Sequence, residues 1–399
     1  MKKKNCFISV LIKIFLPVLI LNAFISCTKY SPESSSPVQI DGFSYRSTLP
    51  LKFAKEFKID SYDSDSSSIY LLTVSGTERF LLLPENTTSP ENLPENITAV
   101  RIPLEKTYLA ATGVMSLFSA IDSLDKIRFS SVQKKDWYVE EAKKAMSEGK
   151  ILYAGKYNAP DFELLLKENC PLAIESTMIY HTPQIKEKLE SLGIPVFVDK
   201  SSYEENPLGR LEWVKVYGCL TGKEAEAEAF FEKEISALSF LFENGGKTVT
   251  DAADDSERAK VAFFYVSPSG SVVIRGGDDY IVKMIEMAGG IYASPDRNIK
   301  SKSPSVAVSF EQFYAFCADS DILIYNSSID NILHSKEELL EKSPLFSDFK
   351  AVKTGKIYTT GKSLYQSTDK IGEVILDLYA VISGEEKELK FLHKVTSGN

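Results

Sequence analysis

The stretch APDFELLLKENCPLAIES, residues 159–176, continued by KLESLGIPVFV at 188–198, decides the fold class. Pro160 to Glu168 has helical spacing and charge, and Leu172 to Ile174 is a short apolar run of the kind that forms a buried strand. Pro183 to Leu192 repeats the helix and Pro195 to Val198 repeats the strand. Upstream, Ile127 to Phe129 and Ile151 to Ala154 are further strand candidates, with the amphipathic run Trp137 to Ser147 between them. Strand and helix in alternation imply a parallel sheet covered by helices.

Two hairpins flank this alternation. Ile69 to Val74 and Arg79 to Leu83 enclose Ser75-Gly76-Thr77-Glu78, and Val261 to Val266 and Val272 to Ile274 enclose Ser267-Pro268-Ser269-Gly270. Lys223 to Phe242 reads as one long helix that stops at Asn244-Gly245-Gly246, and residues 247–258 as a polar, acidic loop. Beyond it, Tyr280 to Ala288 and Phe310 to Ala318 read as helices and Ile322 to Tyr325 as a buried strand. The expected fold is α/β: two Rossmann-like lobes with parallel-rich sheets, joined by one long rigid helix. The expected divisions are a first lobe over 51–221, a bridging helix over 222–244, a loop over 245–258 and a second lobe over 259–399.

The amino-terminal residues carry a separate message. Lys2, Lys3 and Lys4, the apolar stretch Phe7 to Ile25 and the small Ser26 before Cys27 have the order of a signal peptide whose removal exposes Cys27 for lipid attachment. A membrane-spanning helix fits less well, because Lys13 and Pro17 interrupt a segment that already falls short of the ~20 apolar residues a span needs. Residues 1–26 are therefore expected to leave, and residues 27–50, with SPESSSP at 31–37, to form a polar tether to the membrane surface. That places the mature protein outside the cytoplasm, anchored to the cell membrane.

Loss of residues 1–26 leaves 42 basic against 55 acidic residues, a charge that disfavours nucleic acid as a partner. Cys170, Cys219 and Cys317 remain, far apart and without CxxC spacing, and are read as buried thiols. His181, His334 and His393 are scattered and belong to no metal-binding motif. There is no GxSxG for a hydrolase and no GxGxxG or Walker loop for a nucleotide. No catalytic residue, protein-bound metal or cofactor is expected.

Four stretches in order resemble the solute-binding lipoproteins of ABC importers for iron complexes, haem and cobalamin. They are residues 159–176 and 188–198 above, SFEQFYAFCADSDILIY at 309–325 and FSDFKAVKTGKIYTT at 346–360. The resemblance implies a ligand cleft between two lobes, little hinge motion, and delivery to a permease with its ATPase. It also implies one docking acid on each lobe. Glu311 occupies the second-lobe position and Gln184 the first, with Glu175 and Glu187 as neighbouring acids. The implied ligand is a ferric siderophore or haem, with a corrinoid, and then bare ferric ion, as alternatives.

Within such a cleft, aromatic walls and a basic rim suit a flat or anionic chelate. Trp137, Tyr138, Tyr157 and Tyr180 lie at predicted strand ends or in loops, and Tyr153 and Tyr265 share that placement. Arg275, followed by Gly276-Gly277, is the candidate anionic contact, and Arg79 is its counterpart behind the first hairpin. His181 is a candidate axial ligand for a haem or cobalamin metal. Arg210, one turn before Trp213, is read as a structural clamp beneath the cleft.

Overall fold

The computed structural model describes residues 36–65, 67–243, 247–248, 258–294 and 305–396. The chain divides into two units, residues 1–38 and 39–399, and all that follows concerns the second. The expected signal peptide and Cys27 lie outside the described residues, as does most of the expected polar loop.

The first sheet has five strands in sequential order: β1 (Ser44–Thr48), β2 (Phe57–Asp63), β3 (Ser68–Val74), β4 (Glu78–Pro84) and β5 (Ile97–Ile102). β3 and β4 form the hairpin expected from the sequence, and Ser75 and Gly76 turn it with φ of 46° and 71°. β4 and β5 run parallel. Alternation along β2 and β3 sends Phe57, Ile59, Leu72 and Val74 into the core of the first lobe.

The sheet of the first lobe is fully parallel, with β6 (Thr107–Leu109), β7 (Ile127–Ser130), β8 (Leu152–Tyr153), β9 (Ala173–Ser176) and β10 (Val196–Asp199) in the order β10-β9-β6-β7-β8. Helices α1 (Met115–Ala120), α2 (Glu140–Ser147), α3 (Phe162–Lys167) and α4 (Pro183–Ser191) accompany it. Its two faces enter separate cores: Leu109, Ile174 and Phe197 in one, Tyr108, Ala173 and Val198 in the other. Both faces being covered explains why these strands read as continuous apolar runs.

Three helices connect the lobes: α5 (Pro207–Glu212), α6 (Val214–Thr221) and α7 (Glu224–Ala237). The helix expected over Lys223 to Phe242 ends at Ala237, and a 3₁₀ turn at Ser239–Leu241 follows. That turn exchanges cores. Ala227 and Phe231 pack in the first lobe, whereas Leu238 and Leu241 pack in the second. α5 does the same over fewer residues, because Leu208 enters the second core and Leu211 the first.

The second lobe holds a mixed sheet: β11 (Lys260–Val266), β12 (Val272–Arg275), β13 (Ile291–Tyr292), β14 (Ser305–Val308), β15 (Ile322–Tyr325), β16 (Ile357–Thr360) and β17 (Leu392–Lys394). β11, β15 and β16 are parallel neighbours, and β11 with β12 is the second expected hairpin. Helices α8 (Tyr280–Met287), α9 (Phe310–Cys317), α10 (Lys336–Lys342), α11 (Lys350–Lys353) and α12 (Ile371–Ser383) complete it. Cys170, Cys219 and Cys317 are buried and free.

Candidate functional site

A cleft of about 810 Å³ opens between the lobes. From the first lobe it receives Ala111 to Val114, the residues just past the carboxyl end of β9, and the segment from Asp199 to Arg210. From the second it receives Arg275 and Gly276, Asp278 to Tyr280, and Tyr365. The crevice beyond the carboxyl ends of parallel strands is where open α/β sheets take ligands, because no side-chain layer fills it.

Two arginines line the cleft, one from each side of the lobe boundary. Arg210, on α5, lays its guanidinium 3.8 Å from the ring centroid of Tyr280, the first residue of α8. Arg275 ends β12; it donates to Asp279 Oδ2 at 2.5 Å and to Ser305 Oγ at 3.0 Å, and lies 5.8 Å from the ring of Tyr365. The Nε–H of each is buried and finds no acceptor among the described residues. A buried donor without an acceptor costs about 1–3 kcal/mol, a cost that an anionic ligand would remove.

Many of the carboxylates lining the cleft are committed to the protein. Asp199 accepts from the Ser201 backbone N–H, from its hydroxyl at 2.6 Å and from the Tyr217 hydroxyl. Burial pushes the Asp199 carboxyl up, against the pull of those donors. Glu204 accepts from the backbone N–H groups of Lys55 and Glu56 and from Trp213 Nε1. Asp279 caps α8 by accepting from the Ile281 N–H at 2.9 Å. Met178, Tyr180 and Tyr203 line the same cleft and keep between 43% and 53% of their surface exposed, a solvated apolar rim.

Of the residues singled out in the sequence, Tyr180, His181, Arg210 and Arg275 line this cleft, whereas Trp137, Tyr138, Tyr153, Tyr157, Tyr265 and Arg79 do not. Trp137 is fully buried in the first core, where its Nε1–H donates to Ser130 Oγ at 3.1 Å. Tyr157 is half-buried against the outer core of the same lobe. Tyr138 is exposed beside the lobe junction, with its backbone N–H donating to Gln366 Oε1. Arg79 sits in the first sheet opposite Thr73, away from the cleft. Arg210 is both clamp and cleft wall, and its partner is the Tyr280 ring rather than a bidentate carboxylate. Tyr280, Tyr365 and Tyr203 were not singled out, since nothing local distinguishes them from the other tyrosines.

Glu311 and Gln184 are both exposed, at the first turns of α9 and α4. The Glu311 carboxyl is held below its usual range by its own backbone N–H and the Ser309 hydroxyl. Glu187 is also exposed, whereas Glu175 is fully buried on β9 and is excluded as a docking acid.

The sequence profile of the periplasmic binding protein family matches residues 119–364. Two uncharacterized lipoproteins of Methanocaldococcus jannaschii are similar along most of their length. One is 27% identical over 361 residues, 85% of this chain and 83% of the relative; the other is 24% identical over 357 residues, 86% of each. Among solved structures, a periplasmic haem-binding protein from Pseudomonas aeruginosa superposes with a TM-score of 0.55 at 17% identity, over 74% of this chain and all of that one. A periplasmic catecholate-siderophore binding protein from Vibrio cholerae does so with a TM-score of 0.53 at 16% identity, over 69% and 93%.

The burial of Glu175 has a measurable consequence. Neither carboxyl oxygen has a hydrogen-bond partner among the described residues, and burial pushes the group up to about 8 from its ordinary 4.5. Because the folded-state value is the raised one, the folded form holds its proton after the unfolded chain has lost it. The contribution of this group to stability is therefore greatest below pH 4.5 and declines as pH rises to about 8, by on the order of 5 kcal/mol. Glu175→Gln is expected to lack this decline, so that denaturant midpoints of variant and parent diverge between pH 5 and about 8. Parallel curves would show that Glu175 is ionised in the fold.

Proposed function

Because the chain belongs to the periplasmic binding protein family, we propose that it is the solute-binding component of an ABC importer, tethered outside the cytoplasm through lipid on Cys27, that captures a ferric siderophore or haem and hands it to the permease. The observation that carries the ligand class is the arginine pair. Arg210 and Arg275 come from opposite lobes, Arg210 is stacked on Tyr280 and Arg275 lies 5.8 Å from the Tyr365 ring, and each keeps a buried Nε–H without a partner among the described residues. An anionic chelate with flat, apolar arms fits such a site through charge and ring contact together. The names of the haem-binding and catecholate-siderophore-binding structures that share the fold agree with that class. His181 at the cleft supports one further reading, a corrinoid or haem whose metal takes an imidazole. No chemistry is assigned to the protein; binding and delivery are the function.

Absorbance and affinity titrations with a ferric tris-catecholate, haemin and cobalamin test this reading. The anionic chelates are expected to bind, and Arg210→Ala or Arg275→Ala to weaken binding by about ten- to hundredfold, the worth of one charge-assisted hydrogen bond. Binding of none of the three probes would refute the ligand class.

Docking is assigned to Glu311 on the second lobe, with Gln184 at the corresponding place on the first. An exposed carboxylate already satisfied by its own helix end contributes little to folding. Glu311→Arg is therefore expected to leave melting temperature and ligand affinity unchanged while impairing uptake in cells. Normal uptake would remove the docking role.

The anchor rests on the amino-terminal signal and on Cys27. Cys27→Ser is expected to move the protein from the membrane pellet to the soluble fraction. Retention in the pellet would favour an uncleaved helix.

A further inference from the structure

The β3–β4 hairpin belongs to the amino-terminal sheet, yet it touches a side chain of the cleft. Glu78 opens β4 opposite Val74. One of its oxygens, Oε1, accepts from the Tyr180 hydroxyl at 3.1 Å and from Lys200 Nζ at 2.8 Å. The Lys200 ammonium also lies 5.8 Å from the Tyr180 ring centroid, which closes a triangle of three side chains. Within it the Lys200 side chain is 9% exposed and that of Glu78 31%, so the ion pair sits behind the rim and the ring stands on it. Tyr180 lines the cleft and Glu78 does not, so Glu78 acts there only through Tyr180.

A tyrosine beside a metal chelate can serve in two ways. Its ring can stack on a flat ligand, or its ionised oxygen can bind the metal directly. A carboxylate that accepts the phenolic proton fixes the hydroxyl away from the cleft and opposes ionisation, because two negative oxygens would then stand in contact. Burial first, and then the Glu78 charge, raise the Tyr180 phenol above its ordinary value, with Lys200 opposing them.

Resting on the ligand reading of this cleft, we propose that Glu78 is a positioning residue that makes Tyr180 a stacking wall instead of a metal ligand, so that Tyr180 offers the ligand a ring face and no oxygen for its metal. The constraint comes from a sheet that precedes the residues matching the family profile.

Two substitutions separate charge from geometry. Glu78→Gln removes the charge and keeps an acceptor, whereas Glu78→Ala removes both. In protein without ligand, the phenolate absorbance of Tyr180, isolated by subtracting the matching Tyr180→Phe protein, is expected to appear at lower pH in Glu78→Gln than in the parent. With haemin, Glu78→Ala is expected to develop a tyrosinate-to-iron band that the parent lacks and that Tyr180→Phe abolishes. With a ferric tris-catecholate, Glu78→Ala is expected to lose about tenfold in affinity and Glu78→Gln much less, the worth of one ring contact. An unmoved titration in Glu78→Gln, or a tyrosinate band in the parent that Tyr180→Phe removes, would overturn the assignment. If the parent bound none of these probes, the ligand reading would fall, and the titration without ligand would still decide whether Glu78 governs Tyr180.

Discussion

Five consecutive backbone N–H groups, from Lys52 to Glu56, end on two buried carboxylates. Glu212 accepts from Lys52, Phe53 and Ala54, and Glu204 from Lys55 and Glu56. The segment lies between β1 and β2 and has no ladder to satisfy it, so without these acceptors it would have to remain in water. Glu212 is fully buried and is compensated by Lys215 at 3.3 Å as well as by the amides. Removing either carboxylate would leave several donors unpaired, at about 1–3 kcal/mol each. This clamp fastens the amino-terminal sheet to α5, and α5 is where the two lobe cores meet. The cleft wall follows from the same place, because Glu204 and Arg210 both line it.

The cleft is built rather than merely left open. Asp199, Glu204 and Asp279 are engaged by Tyr217, Trp213, backbone amides and a helix end, while Arg210 and Arg275 lie near tyrosine rings and each leaves an Nε–H without an acceptor among the described residues. That asymmetry leaves two buried N–H donors in the cleft for an acceptor to meet. The aromatic partners matter as much as the charges, since a guanidinium lying on a tyrosine ring loses little rotamer freedom when an anion arrives.

Much of this was readable from residue order. Period-two alternation placed both hairpins, and buried apolar runs placed β7, β9, β10 and β15, because strands covered on both faces cannot afford polar positions. Depth was not readable. Trp137 and Tyr157 have the local context of a cleft wall and pack in cores, while Tyr280 and Tyr365 have no distinguishing context and face the cleft. Such assignments depend on which loop returns beside which, a long-range fact absent from any local window. The end of α7 was missed for a related reason. Helix propensity continues past Ala237, but Leu238 and Leu241 belong to the second core, and only a turn can carry them there. Glu175 misleads in the opposite direction, since a glutamate at a strand end reads as solvent-facing and here is wholly enclosed.

The junction also constrains how the cleft can work. Leu208 and Leu211 anchor one short helix in both cores, Gln366 bridges the second lobe to the backbone of Asp136 and Tyr138, and the Asp369 N–H donates to Ser116 Oγ. At Gly113 a side chain would come within 2.8 Å of Thr368 Oγ1, so the lobes touch there at backbone distance. A wide closing rotation would have to expose part of these contacts, and stripping even one buried leucine from its core costs about 1.5–3 kcal/mol. Recognition must then rest on a largely preformed cleft with local adjustment at its exposed rim, where Met178, Tyr180 and Tyr203 are the side chains with room to move. In such a site, a contact that fixes one rim tyrosine has more influence on ligand choice than any hinge.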